Sequence, residues 1–211
     1  MFAVSHPLLV MIREKKIFLE SIINNFPTLK SLINAEVNNN AQQIAQEIAD
    51  GDKEIEQEEQ SKIVNAFDDS NDLDNLFYQA MFIMVCSYYD GAVERLCKEN
   101  DITDTKGDRI SKLCTLKGIE LSDKTTKHKN FIFENLKSLR HDIVHNNIGT
   151  LKNSEKIYSL MSVYPEIKQE DGCVIFTGSK FILDVLNKEY EVLYELCQKL
   201  GYKTELIGGC Q

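Results

Sequence analysis

Helix breakers are scarce in this chain. It holds three prolines in 211 residues, at positions 7, 27 and 165, and ten glycines. Proline removes a backbone donor and clashes with the preceding turn, and glycine adds backbone entropy, so both interrupt helices. Long stretches without either leave helix as the default, and apolar residues recur at three- and four-residue intervals through most of the sequence. Apolar residues make up 43% and charged residues 27%, a balance that supports a packed core and argues against disorder. The length suits one domain, or one domain with an appendage.

The periodicity divides the chain as follows. A first helix is expected from Pro7 to Phe26, with proline in its first turn, ended by Pro27. A second, long helix then covers Thr28 to Phe67, with a break at Gly51. The segment DDSNDLD reads as a loop that ends in an N-cap. A third helix runs from Leu73 to Glu99, with Leu73, Leu76, Phe77, Ala80, Ile83 and Met84 as its buried apolar stripe. Shorter helices are expected over Asp108–Lys117, stopped by Gly118, over Thr126–His145, and near Ser154–Val163. The segment EIKQEDGCVIF carries Asp-Gly between two short alternating runs, a hairpin signal. A last helix, Ser179–Leu200, places Ile182, Val185, Leu186, Leu193, Leu196 and Cys197 on one face. The expected fold class is therefore mainly all-α. Residues 1–70 form a long-helix extension packed on a core of residues 71–211, with a small hairpin before the C-terminal helix.

The net charge of −9 argues against broad, non-specific nucleic-acid binding, but the charge is uneven. Between Glu36 and Asp74 lie 12 acidic and 2 basic residues; between Lys124 and Arg140 lie four lysines and one arginine against Glu134 alone. A nucleic acid would meet the second region. The acidic run reads as a solvated helix face, the sharper alternative being a strip that repels or mimics RNA. No two of the six cysteines have CxxC spacing, and they read as small buried hydrophobes in a reducing cytoplasm. No signal peptide is visible, and the longest apolar run, Met81–Cys86, is far too short to span a bilayer. There is no GxSxG, GxGxxG, P-loop or EF-hand loop.

The stretch FENLKSLRHDIVHNNIGT, residues 133–150, carries the chemistry. On a helix, Ile132, Leu136, Leu139 and Ile143 form one stripe toward the core. His141 and His145 project away from it, stacked four apart, and Arg140 lies on the flank between. Three readings are open. The histidines are exposed and idle; they share a metal with a third ligand, which the absence of HExxH disfavours; or His145 moves protons while Arg140 holds a phosphate.

Arg-x4-His near the end of an apolar-striped helix, as RHDIVH followed by NN, resembles the signature of HEPN ribonucleases, with His141 as the polar residue after the arginine. Upstream, SYYDGAVERLC is similar to that family's helix in which an acidic residue precedes glycine and a basic residue, matched by Asp90, Gly91 and Arg95. The resemblance covers roughly Leu73–Tyr202 and points to bacterial nucleases related to the RiboL-PSP-HEPN group. It implies a HEPN-type helical bundle and metal-independent endoribonuclease activity without a cofactor. In that chemistry the 2′-OH of RNA attacks the adjacent phosphorus, leaving a 2′,3′-cyclic phosphate and a 5′-OH. His145 is implied as general base or acid and Arg140 as the stabiliser of phosphoryl charge, with Asp90 orienting Arg140 and His141 in support. DNA lacks the attacking group.

Arg140 and His145 are about 140° apart around an ideal helix, so one straight helix does not aim both at one phosphate. The resemblance implies a homodimer with the motifs face to face. Asn146 and Asn147 either contact phosphate or ribose or cap the helix end. Lys124, Lys127, Lys129 and Lys137 are the expected guides for an RNA strand. The family context further implies a cytoplasmic toxin or phage-defence effector with an antitoxin protein as partner. The rival readings are a non-catalytic helical module that binds RNA, a nucleotide or a protein, and a weaker one, a metal-dependent hydrolase using His141 and His145.

Overall fold

A computed structural model describes residues 2–49, 57–103, 107–145, 154–170, 173–202 and 204–207. Its side-chain detail covers 6–43, 73–103, 107–144, 157–170 and 173–202. The chain runs β1 (Phe2–Ser5), α1 (Pro7–Ala49), α2 (Gln57–Glu99), α3 (Arg109–Lys117) and α4 (Asp123–Phe131). A π-helical turn (Ile132–Leu136) follows, then α5 (Lys137–His145), α6 (Ser154–Val163), β2 (Ile167–Glu170), β3 (Cys173–Phe176), α7 (Lys180–Lys199) and β4 (Thr204–Ile207). The fold is mainly helical, with long N-terminal helices and a small antiparallel hairpin before the final long helix. Among the described residues no helix is long and apolar enough to cross a membrane.

The core is organised by α7. Its buried face repeats at helical spacing through Ile182, Val185, Leu186, Val192, Leu193 and Leu196, so it meets neighbours along its whole length: α1, α2 and α4 all pack on it. Each fully buried side chain of this size contributes roughly 1.5–3 kcal/mol of transfer free energy. The α1 helix adds Leu8, Ile12 and Ile23, and the buried Tyr88 hydroxyl of α2 donates to the Ile12 carbonyl at 3.1 Å. A cluster of Phe82, Phe176 and Phe181, with ring centroids 5.7–5.9 Å apart, joins α2, β3 and α7.

The hairpin pairs Ile167 with Phe176 and Glu170 with Cys173, which leaves two residues for the turn. That register suits the Asp-Gly pair, which itself lies outside the described residues. The hairpin is pinned to α2: Asn75 accepts from the Phe176 amide (3.0 Å), and the Gln79 side chain donates to the Val174 carbonyl (2.8 Å). Glu166 accepts from the Phe181 amide (2.6 Å), satisfying one donor of the first turn of α7. β1 and β4 form a second two-stranded ribbon, Phe2 opposite Ile207, which the helical periodicity of the sequence does not announce.

Three sequence expectations fail here. Pro27 does not end the first helix; α1 continues through it to Ala49. Proline inside a helix costs one hydrogen bond and a clash with the preceding turn, but Pro27 is on the exposed face, and its neighbour Phe26 is buried in a stack on Phe77 of α2, centroids 3.6 Å apart. Packing holds the helix where local propensity would break it. DDSNDLD is likewise helical, inside α2, and Asp74 from it pairs with Lys30 of α1 at 2.7 Å. The expected second helix is thus split between α1 and α2, and Gly51 lies outside the described residues. A single helix, α2, runs across residue 70. The expected buried stripe of α2 is also displaced: Leu76, Ala80 and Met84 are exposed, and the helix buries Tyr78, Met81, Phe82, Val85 and Tyr89 instead, the face turned to α7 and the hairpin. The other expected elements are found, α4 starting three residues earlier than its stripe indicated.

Candidate functional site

The segment 123–145 is one helical rod with a π turn in its middle. In a regular α-helix, residues four apart advance by about 40° at each step, so Lys129, Phe133, Lys137 and His141 would spiral away from one another. The wider turn at Ile132–Leu136 counters that drift. All four line one cavity of about 650 Å³, together with Arg140 and Val144. The same rod buries Leu139, Asp142 and Ile143 away from the cavity, while the buried Ile132 and Leu136 line its inner wall.

The far wall of the cavity comes from α2 and the start of α3. Cys86, Tyr89, Asp90 and Val93 share one face of α2, and Asp108, Arg109 and Ile110 open α3. Asp90 accepts from the Arg140 guanidinium, and its other oxygen lies 3.6 Å from Arg109. Asp90 therefore bridges two arginines from different helices at the cavity edge. Asp90 is half-exposed, so solvent screens this pairing; it orients the guanidinium more than it stabilises the fold. Next to it, Asp108 caps α3 by accepting from the Ser111 amide (3.0 Å) and hydroxyl (2.6 Å), and holds Lys129 at 3.0 Å. Burial works to raise the Asp108 pKa, but these hydrogen bonds and the lysine charge outweigh it and hold the carboxylate below its usual range.

The cavity floor holds a residue that belongs to none of the sequence motifs. Glu189 of α7 is 1% exposed, and among the described residues neither of its carboxyl oxygens has a hydrogen-bond partner. Burial pushes its pKa well above the ordinary carboxylate value, the Asp90 charge adds to the rise, and Arg140 opposes it. The carboxyl is thereby biased toward its protonated form, and Glu189 lines the cation-rimmed hollow. The signal for it was present in the sequence: Ile182, Glu189 and Leu196 are seven apart, so Glu189 occupies a core position in an otherwise apolar stripe. Arg109 was also missed, because no spacing links it to Asp90 or Arg140.

The expected site residues divide clearly. Arg140, His141, Asp90, Lys129 and Lys137 line the cavity. Lys137 also sits over the Phe133 ring, 5.7 Å from its centroid. Lys124 lies away from it, paired with Glu191 at 2.7 Å, and Lys127 is exposed and does not line it. His128 faces Glu191 at 3.2 Å; partial burial lowers its pKa, with the Glu191 charge acting in the other direction. Arg95 pairs with Glu99 at 3.0 Å, one turn further along α2. His145 is the last residue of α5, and its side chain lies outside the description, as do Asn146 and Asn147. Among the described residues no three His, Cys, Asp or Glu side chains converge as a metal site would require.

Chemically, the hollow offers cations for a phosphate at its rim, an apolar wall, and one buried group able to donate and accept hydrogen bonds at its floor. Comparison with protein-family models, with curated proteins and with solved structures finds no match to this chain.

Proposed function

We propose that this protein is a metal-independent endoribonuclease of the HEPN type, acting as a homodimer. The observation that carries the reading is the Arg140–Asp90–Arg109 bridge at the edge of a lysine-lined cavity, on a helix that ends in His145. Arginine forks suit the two non-bridging oxygens of a phosphodiester. In the proposed step the ribose 2′-oxygen attacks phosphorus, and the bond to the 5′-oxygen breaks. One histidine takes the 2′-OH proton and another supplies a proton to the leaving 5′-oxygen. Arg140 stabilises the charge that builds on the phosphoryl oxygens. Two face-to-face copies would provide His145 twice, once for each proton.

Support for the dimer comes from the same rod: Phe133 and Val144 are large apolar side chains left more than 40% exposed beside the cavity. A second copy laid along that face would cover both. A role as a cytoplasmic toxin or phage-defence effector, held in check by an antitoxin protein, is part of the same proposal and rests on the sequence resemblance alone.

The test is cleavage of a mixed-sequence RNA in excess EDTA. The wild type is expected to cut, leaving 2′,3′-cyclic phosphate ends, while the matched DNA stays intact and His145→Ala is inactive. If neither protein cuts RNA that both demonstrably bind, the chain is a binding module and the nuclease reading falls.

A further inference from the structure

We infer that Glu189 is a specificity-determining residue: it reads the hydrogen-bonding edge of an RNA base drawn into the cavity beside the scissile phosphate. This rests on the proposed ribonuclease reading and adds to it the part of the substrate that the cavity recognises. Three observations meet here. The hollow, about 650 Å³, lies in the range of pockets that enclose a ligand and is larger than a phosphate requires. Its charges are graded: Arg140, Arg109, Lys129 and Lys137 stand around it, and the depth is lined by Cys86, Val93, Ile132 and Leu136. At the floor is one polar side chain with both oxygens unpartnered.

A buried group with unused hydrogen-bonding capacity is destabilising unless something completes it. In a purely structural role, a leucine would serve better at this place in the stripe of α7. A carboxyl that keeps its proton carries one donor and one acceptor side by side. Every nucleobase offers a complementary donor–acceptor pair on one edge, whereas a phosphate or a sugar does not offer it in one plane. Sequence-specific RNA recognition works on unstacked bases of this kind, with apolar side chains against the ring and polar groups on its edge. The cations at the rim would hold the flanking phosphates, which places the base inward and the backbone outward.

The experiment is equilibrium binding of short 2′-O-methyl oligonucleotides, which cannot be cleaved by 2′-OH attack, that differ only in one central base. It compares the wild type with Glu189→Leu and Glu189→Gln, each first checked for cooperative thermal unfolding. The wild type is expected to favour one base over the poorest by about tenfold or more. Glu189→Leu should flatten that preference to within about twofold while keeping the affinity that comes from the rim cations, since no charge at the rim is altered. Glu189→Gln, with its donor and acceptor fixed, should keep a preference but reorder the four bases. A residue that merely fills the core would leave the profile unmoved in both variants.

An unchanged preference in Glu189→Leu, or no preference in the wild type, overturns the inference. The outcome is separable from that of the nuclease test. A protein that discriminates bases through Glu189 but never cuts RNA overturns the nuclease reading alone; one that cuts with a profile indifferent to Glu189 overturns this inference alone.

Discussion

Glu189 gives the fold a stability cost that grows with pH, and Glu189→Gln removes it. In the unfolded chain the carboxyl loses its proton near its ordinary value of 4.5; in the fold, burial first and the Asp90 carboxylate second keep the proton on, against the pull of Arg140. Above about pH 4.5 the native state therefore binds more protons than the unfolded state, and stability falls as pH rises. It stops falling only where the folded group itself begins to ionise. While one state is protonated and the other is not, the slope is about 1.4 kcal/mol per pH unit. Glutamine has nearly the same shape, offers a donor and an acceptor, and does not titrate. The stability gap between Glu189→Gln and wild type should widen as pH rises above about 4.5, by at most about 1.4 kcal/mol per pH unit, over the range in which the folded carboxyl keeps its proton. In a chain of this size that limit is a relative rise in Tm of roughly 3–6 °C per pH unit. Thermal unfolding followed by far-ultraviolet circular dichroism at a series of pH values reads it directly. A gap that stays constant over that range would refute the reasoning, because Glu189 would then have the same proton occupancy folded and unfolded. Asp90→Asn is the companion: it removes the carboxylate that helps hold the proton and leaves Arg140 to act alone, so the slope should end at a lower pH than in the wild type.

Arg140→Lys keeps the charge but loses the planar fork, and RNA cleavage should drop by roughly 10²–10³-fold with little change in Tm; near-full activity would remove Arg140 from the phosphate-stabilising role. Asp108→Ala removes the cap of α3 and the anchor of Lys129, and should lower stability by about 1 kcal/mol at neutral pH. Because the folded pKa of Asp108 is depressed, that difference should persist above about pH 4 and vanish as pH falls through the lowered value, which a Tm series in acid will show. Pro27→Ala restores a donor and relieves the ring clash inside α1, and should stabilise the fold by up to about 3 kcal/mol in denaturant titration, with the Phe26–Phe77 stack kept.

Elements whose own residues specify their ends were legible in the sequence. Asp108 and Gly118 bound α3 by an N-cap and a left-handed C-terminal residue, and both signals are local. The hairpin could be read from Asp-Gly between alternating runs, and α7 from an apolar stripe that stays buried throughout. The expectations that failed, at Pro27 and across DDSNDLD, are places where a weak local tendency to break is overruled by long-range contacts, Phe26 with Phe77 and Lys30 with Asp74. The site shows the same division. Arg140, His141, Lys129 and Lys137 share one rod, so the segment was legible, but it is the π turn that brings Lys129 to the same cavity as the other three. Arg109 and Glu189 reach the cavity from α3 and α7, and only the tertiary fold brings them there. Glu189 was nonetheless visible as a carboxylate at a position where the rhythm of α7 demands an apolar residue. The π turn left no periodic trace: Ile132, Leu136, Leu139 and Ile143 keep spacings of four, three and four, and residues 123–130 hold no apolar side chain that would reveal an offset.

That turn links length and register in the 123–145 rod in an unusual way. A point substitution in it changes one side chain. A π turn holds one residue more than the ordinary turn it replaces, so deleting a single residue between Ile132 and Leu136 would convert it to an ordinary turn and leave everything beyond facing as before. A residue deleted from the regular helix ahead of that turn, with the turn kept, would instead rotate everything beyond by about 100°. Lys137, Arg140 and His141 would then leave the cavity as a group, and Leu139 and Ile143 would leave the core with them. The fold and the cavity are therefore set by the same angular offset, and related chains should either keep both the residue count and the wide turn or lose one residue and the turn together.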